Sequence, residues 1–208
     1  MSQLADAAAV KIGVMDRLLG KERVAHLPGE IGIWIFILGD MTLYLVLFWA
    51  FMVDRSTKVE FFTSCQQVLH PNIGGINMLI LLVSSVAVAL SVMALRSKMF
   101  KKQVPILLSF AFLCGVAFIF NKYIEYSDLL SMGITPLINT FFTWYYLLTV
   151  LHLLHLVGGM GCLIYMFKVS KKPENSEADI RGCESAGCFW HAVDLLWVCI
   201  FPILYLMR

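Results

Sequence analysis

Charge is what this chain has least of. Only 14% of its 208 residues are charged and 60% are hydrophobic, whereas a soluble domain carries about 25% charged and 45–50% apolar residues. No polar stretch is long enough to form a soluble domain of its own. The net charge of +2 supplies no basic surface for a nucleic acid, so none is expected as a partner. Cysteine is scattered as Cys65, Cys114, Cys162, Cys183, Cys188 and Cys199 without a CxxC pair. That is neither a zinc nor a disulfide framework, and most of these residues read as small apolar fillers. GxSxG, P-loop and Rossmann patterns are missing, which leaves soluble-enzyme chemistry unsupported. There is no internal repeat and no low-complexity tract. Residues 1–27 carry Asp6, Asp16 and Glu22, lack a cleavable apolar core, and do not read as a signal peptide.

What the chain has is long apolar runs. A hydrocarbon layer of ~30 Å takes ~20 apolar residues per helix, and five segments qualify, near 31–53, 73–95, 105–126, 137–167 and 186–207. The expected fold class is all-α: a polytopic membrane bundle of five transmembrane helices, forming one domain over 28–208 behind an N-terminal segment, 1–27. Within that segment, residues 4–19 place apolar side chains at helical spacing and are expected to lie on the membrane face. Pro28, Pro71, Pro105 and Pro136 stand at or just before span starts, where a missing N–H costs nothing. Thr135 is expected to cap the fourth span. That span, uncharged over 137–167, must tilt or project beyond the hydrocarbon. Pro202 is expected to kink the end of the fifth.

The basic residues are unevenly placed. Threaded through five spans, Lys11, Arg17, Lys21, Arg23, Arg96, Lys98, Lys101, Lys102, Lys168, Lys171, Lys172 and Arg181 fall on one side; Arg55, Lys58 and Arg208 fall on the other. The positive-inside rule then puts the N-terminus in the cytoplasm and the C-terminus outside.

A few polar side chains remain inside the spans. Asp40 sits within the first, where a carboxylate costs about 2.5–3.5 kcal/mol unless it is neutral or partnered. It reads either as a proton-exchanging or gating group, or as an acid that fixes helix packing or holds a lipid headgroup. Glu30, at the start of the same span, complements the positive end of the helix dipole. Glu125 lies one turn from Asn121 and Lys122, and its simplest reading is an i,i+3 pair with Lys122. His152 and His155 share one face of the fourth span at i,i+3, which suits interhelical hydrogen bonding better than a metal site, since no further ligand stands beside them. His191 and Asp194, flanked by Trp190 and Trp197, read as a proton relay or a structural ion pair. Gly158, Gly159, Gly161 and Cys162 form a small-residue face for close helix approach.

Taken in order, these segments resemble subunit III of the haem-copper respiratory oxidases. GDMTLYLVLFWAF is similar to that family's first shared helix, with its carboxylate at Asp40 and its F-W-A-F at Phe48, Trp49, Ala50 and Phe51. KYIEYSDL resembles the E-Y signature at Glu125 and Tyr126, LHLLHLVGG the H-x-x-H motif at His152 and His155, and WHAVDLLW the motif at Trp190, His191, Asp194 and Trp197. The chain lacks the first two of the seven helices of mitochondrial-type members, as quinol-oxidase subunits do. Its lead-in PGEIGIWIFILGD is most similar to the five-helix nitric-oxide-reductase activation proteins.

The resemblance implies a cofactor-free accessory subunit of a haem-copper oxidase or nitric oxide reductase, in the inner membrane of a bacterium. Haem and copper or iron would reside only in the catalytic subunit I against which it packs. Phospholipid would be held in a cleft between helix groups, and assembly, durability and proton uptake of the complex would be supported. Asp40 would be the cleft or proton-side carboxylate. Glu125, His152, His155, His191 and Asp194 would tie helices together, with Trp49, Tyr126, Gly158, Gly159, Trp190 and Trp197 in the packing. Three further readings stand beside this one. The first is subunit III of a quinol or cytochrome c oxidase proper. The second is a small proton-coupled transporter centred on Asp40, although the paired broken helices or repeat of that fold are not visible. The third is a metal enzyme using His152, His155 and His191.

Overall fold

The computed structural model describes residues 27–97 and 100–207, so the membrane-face helix expected at 4–19 lies outside the described residues. The described chain forms α1 (Ile31–Thr57), α2 (Val59–Gln66), α3 (Pro71–Ser97), α4 (Val104–Ser131, entered by a 3₁₀ turn at Lys101–Gln103), α5 (Thr140–Ser170) and α6 (Glu177–Phe201), which continues as a π-helical turn over Pro202–Leu206. Five of these helices, all but α2, are long and apolar enough to cross a membrane. The all-α, five-span expectation holds.

The differences from expectation lie at the helix ends. The fifth span begins at Glu177 rather than near residue 186, because Ser176 and Asp179 form a capping box. Ser176 Oγ accepts from the Asp179 N–H and Asp179 Oδ2 accepts from the Ser176 N–H, both at 3.1 Å. The polar turns that follow are therefore helical too. The cap of α5 is Asn139, whose Oδ1 accepts from the Phe142 N–H at 2.9 Å, and not Thr135, whose carbonyl instead closes the preceding turn onto Ile138. At the end of α4, Gly133 takes φ +76° and lets the Ile134 N–H reach back to the Leu129 carbonyl at 2.9 Å. That is a Schellman closure, and it carries the helix to Ser131, past the expected 126.

Pro202 does not simply kink the fifth span. Residues 202–206 widen into the π turn, and side chains at the ends of α1 and α2 serve the carbonyls this frees. Gln66 Nε2 donates to Leu204 O at 3.2 Å and Arg55 Nη2 to Met207 O at 3.0 Å. The short helix α2, which hydropathy alone does not reveal, positions Gln66 and packs Phe62 edge-on between Phe51 and Phe141.

Helices α3 to α6 close into a four-helix ring, and α1 stands at its side. Only 6% of the most apolar stretch of α1 is buried, against 28–56% for the other four spans. The centre of the ring is aromatic, with Trp190 and Trp197 both at 0% exposure. Gly159 makes the room: a Cβ there would stand 2.9 Å from the Trp190 ring. The small-residue face of α5 thus receives a side chain of α6 rather than its backbone. Only Gly159 of that face is buried, Gly158 lies against Phe189, and Gly161 meets nothing within 4 Å.

Gly159→Ala is therefore expected to lower the thermal unfolding midpoint in detergent. Overpacking against a fixed ring costs about 1–3 kcal/mol and outweighs the ~1 kcal/mol that alanine gains over glycine in a helix. Gly161→Ala, facing open space, should leave the midpoint unchanged or raise it. Equal effects at the two positions would show that Trp190 moves aside.

Candidate functional site

The side chains singled out in the sequence lie at three levels along the spans. At the lysine-rich end, the backbone just before α1 is pinned to α6. Gly29, at φ +79°, donates its N–H to Glu184 Oε2 at 3.0 Å, and the Glu30 N–H donates to Ser185 Oγ at 3.0 Å. Arg96 at the end of α3 meets the other oxygen of Glu184 at 3.1 Å, so one buried carboxylate fastens three helices. Glu30 itself is the N-cap residue of α1, but its exposed side chain makes no capping bond; its helix-dipole role rests on position alone.

At mid-depth α1 meets α5. Asp40 Oδ1 lies 3.0 Å from His155 Nε2, with the two side chains 10% and 16% exposed. The other ring nitrogen, Nδ1, lies 2.8 Å from the Leu151 carbonyl. A carbonyl can only accept, so Nδ1 carries a proton, and a further proton must lie between Nε2 and the carboxylate for that contact to be a hydrogen bond. Tyr44, one turn beyond Asp40 and 1% exposed, closes over the imidazole edge-on. Its spacing from Asp40 was a sequence signal, but a tyrosine in an apolar helix reads first as packing.

His152, one turn before His155, looks elsewhere. It is fully buried between Phe118 of α4 and Trp197 of α6. The two histidines thus face different neighbours. Among the described residues no three His, Cys, Asp or Glu side chains converge as a metal site. His191 and Asp194 also part company. The imidazole Nδ1 bonds to Ser85 Oγ of α3, while the carboxylate is buried beside the same serine. The direct His–Asp pair is replaced by a serine-centred contact between α3 and α6. Trp190 Nε1 donates to Ser84 Oγ and Trp197 Nε1 to the Gly74 carbonyl, both again on α3.

The third level holds the expected Lys122–Glu125 pair, and it is more enclosed than its spacing foretold. Both side chains are 1% exposed and 2.9 Å apart. Lys122 Nζ also donates to Tyr145 Oη at 3.0 Å and Tyr205 Oη at 3.1 Å, so all three of its protons are used. Tyr205 in turn donates to Glu125 Oε1 at 2.6 Å. The rings of Tyr126, Tyr145 and Trp197 lie 4.9–5.2 Å from the ammonium, and their faces favour a cation. Tyr126 donates to Thr149 Oγ1 at 2.7 Å, and Asn121 donates to Asn77 Oδ1 at 2.8 Å. On the rim, Trp144 Nε1 donates to Asp54 Oδ2 at 2.7 Å, a second tie between α1 and α5. Trp49, expected in the packing, points outward and is 69% exposed.

Chemically, this arrangement joins helices across the hydrocarbon. Comparison with protein families matches residues 16–208 to Cytochrome c oxidase subunit III. Among individual proteins, the chain is 28% identical over 182 residues to cytochrome bo(3) ubiquinol oxidase subunit 3 of Pseudomonas putida, covering 85% of this chain and 84% of the relative. It is 28% identical over 180 residues to cytochrome c oxidase subunit 3 of Synechocystis, covering 85% and 74%. With cytochrome bo(3) ubiquinol oxidase subunit 3 of Buchnera aphidicola it shares 22% over 185 residues, 89% of each chain.

Proposed function

This chain belongs to the cytochrome c oxidase subunit III family, and from that premise we propose that it is a cofactor-free accessory subunit of a haem-copper oxidase or nitric oxide reductase. It packs against the catalytic subunit I, supports the assembly and durability of the complex, and binds phospholipid. The family match over almost the whole chain carries this reading. The geometry agrees with it: Asp40 with His155, Lys122 with Glu125, His191 with Ser85 and Asn121 with Asn77 are spent on contacts that join or stiffen helices, as a scaffold requires. The weakly buried α1, with Ile31, Ile35, Leu38, Leu45 and Trp49 turned outward, leaves a broad apolar face for a partner subunit or lipid.

Within the family we propose the nitric-oxide-reductase activation subgroup, on the lead-in PGEIGIWIFILGD and the five-helix form. A second reading, subunit III of a quinol or cytochrome c oxidase proper, is supported by the relatives named above. In either case the Asp40–His155 couple would sit on the proton side of the complex. The N-terminus would be cytoplasmic, because Arg96, Lys101, Lys102, Lys168, Lys171, Lys172 and Arg181 gather at one end of the bundle.

A tagged full-length chain, solubilised from its own membranes in mild detergent, is expected to bring down a haem-bearing catalytic subunit visible in the optical spectrum. Identification of that protein as a nitric-oxide-reducing chain supports the activation subgroup, and an oxygen-reducing chain supports the oxidase reading. Recovery of the intact chain alone and colourless, from membranes in which the oxidases remain soluble and assembled, would overturn both.

A further inference from the structure

The cluster around Lys122 contains more than a salt bridge needs. Tyr205 is 4% exposed, and its hydroxyl donates to Glu125 Oε1 at 2.6 Å, the length of a charge-assisted bond from a hydroxyl to a carboxylate. A phenol buried for packing needs only a neutral acceptor, such as Tyr126 finds in Thr149 and Tyr146 in the Ile134 carbonyl. Of these three tyrosines, Tyr205 donates to an anion. The chain also spends side chains on aiming it there. Tyr205 stands in the π turn of Pro202–Leu206, a widening that recurs at functional sites, and Gln66 and Arg55 hold the carbonyls in and just after that turn.

Aromatic rings continue from Tyr205 toward the lysine-poor rim of the bundle. Its centroid lies 6.3 Å from that of Tyr145, which lies 5.2 Å from that of Tyr146, both edge-on. Tyr146 donates to the Ile134 carbonyl, between α4 and α5, at 3.2 Å. Three phenols in successive ring contact thus join the buried carboxylate to the rim.

We propose that Tyr205 is a redox-active tyrosine, with Glu125 as its proton acceptor and Tyr145 and Tyr146 as the route by which an electron leaves toward the rim. A one-electron oxidant of the oxygen-radical class, arriving at the rim, draws one electron through Tyr146 and Tyr145 and becomes its reduced anion. The Tyr205 O–H bond breaks, its proton moves to Glu125 Oε1, and a neutral phenoxyl radical stands beside a carboxylic acid. The positive charge left over is that of Lys122, which the faces of Tyr126, Tyr145 and Trp197 hold at 4.9–5.2 Å. Depriving a buried ammonium of its anion is costly, so only a strong oxidant fills the site. The same cost returns the proton from Glu125 to Tyr205 when an ene-diol reductant of the ascorbate class gives back an electron at the rim, releasing its own proton to water. The site needs nothing from a catalytic partner.

Flash oxidation of the full-length chain in mild detergent tests this, with a ruthenium polypyridyl sensitiser, persulfate as terminal electron acceptor, and electron paramagnetic resonance as the readout. The expected result is a long-lived tyrosyl radical with a hyperfine coupling to one exchangeable proton, the one moved to Glu125. Its lifetime should not follow the buffer pH, because that proton stays inside the bundle. Y205F should abolish the long-lived signal and Y146F should lower its yield. Y165F, at the lysine-rich end, should leave it intact. An undiminished signal in Y205F, an equal loss in Y165F, or a lifetime that tracks pH would each overturn the assignment, and an unchanged yield in Y146F would overturn the route. Should Y205F not fold, the wild-type radical decides alone: one without a coupled exchangeable proton excludes Glu125 as acceptor. These readouts need no haem-bearing subunit, so their failure and that of the proposed function are distinguishable.

Discussion

Glu125→Ala is expected to be the most damaging single substitution in the bundle. It leaves the Lys122 ammonium 1% exposed among Tyr126, Tyr145 and Trp197 with no anion. Removing one partner of a buried pair costs about 3–5 kcal/mol, a large part of the ~5–15 kcal/mol that holds a typical protein folded. The expected outcome is a sharp fall in monodisperse protein recovered from detergent, with a thermal midpoint well below wild type. Lys122→Met/Glu125→Leu should recover most of the loss, since replacing both charges by apolar groups of similar volume is often neutral or better, and the hydroxyls of Tyr145 and Tyr205 still have each other. If the double variant folds as poorly as Glu125→Ala, the pair does more than satisfy its own charges. If Glu125→Ala is itself harmless, Lys122 escapes to the surface.

The sequence made the architecture legible because length and hydropathy are enough to fix five spans. The helix ends were less legible, because side-chain geometry decides them. The capping box of Ser176 and Asp179 extends α6 through a polar stretch that hydropathy alone assigns to a loop, and the choice of Asn139 over Thr135 depends on where Pro136 turns the chain. Spacing found the Lys122–Glu125 pair, since both residues stand on one helix face. It could not find Asp40–His155, whose partners are 115 positions apart on helices that meet only in the fold. The same limit misled the reading of His191 and Asp194: i,i+3 spacing puts them within reach, yet Ser85 of α3 offers the imidazole a better-placed partner. Tyr145, Tyr205, Glu184 and Arg55 passed unnoticed because tyrosines in apolar helices and charges near span ends are ordinary features. Their roles emerge only from what lies across from them.

His155→Leu is expected to harm the protein more than Asp40→Leu, though the two remove the same hydrogen bond. With Asp40 replaced, the imidazole can stay neutral and keeps its Leu151 contact, so the loss is that of one interhelical bond, about 0.6–2 kcal/mol. With His155 replaced, a carboxyl group only 10% exposed must be carried within the span without its partner, at about 2.5–3.5 kcal/mol. Thermal midpoints in one detergent should therefore order as wild type, Asp40→Leu, then His155→Leu, with the double leucine variant above His155→Leu. Asp40→Asn discriminates the packing role from the proton role, because an amide N–H can donate to a neutral Nε2 and keep α1 against α5 with no shared proton. It should hold the midpoint near wild type, while carboxyl infrared bands assigned to the couple vanish. Should Asp40→Asn destabilise as strongly as His155→Leu, the proton itself would be what fastens α1. Should the two leucine variants prove equal, the carboxylate would have access to water at mid-depth, and α1 would stand further from the bundle than a 3.0 Å contact allows.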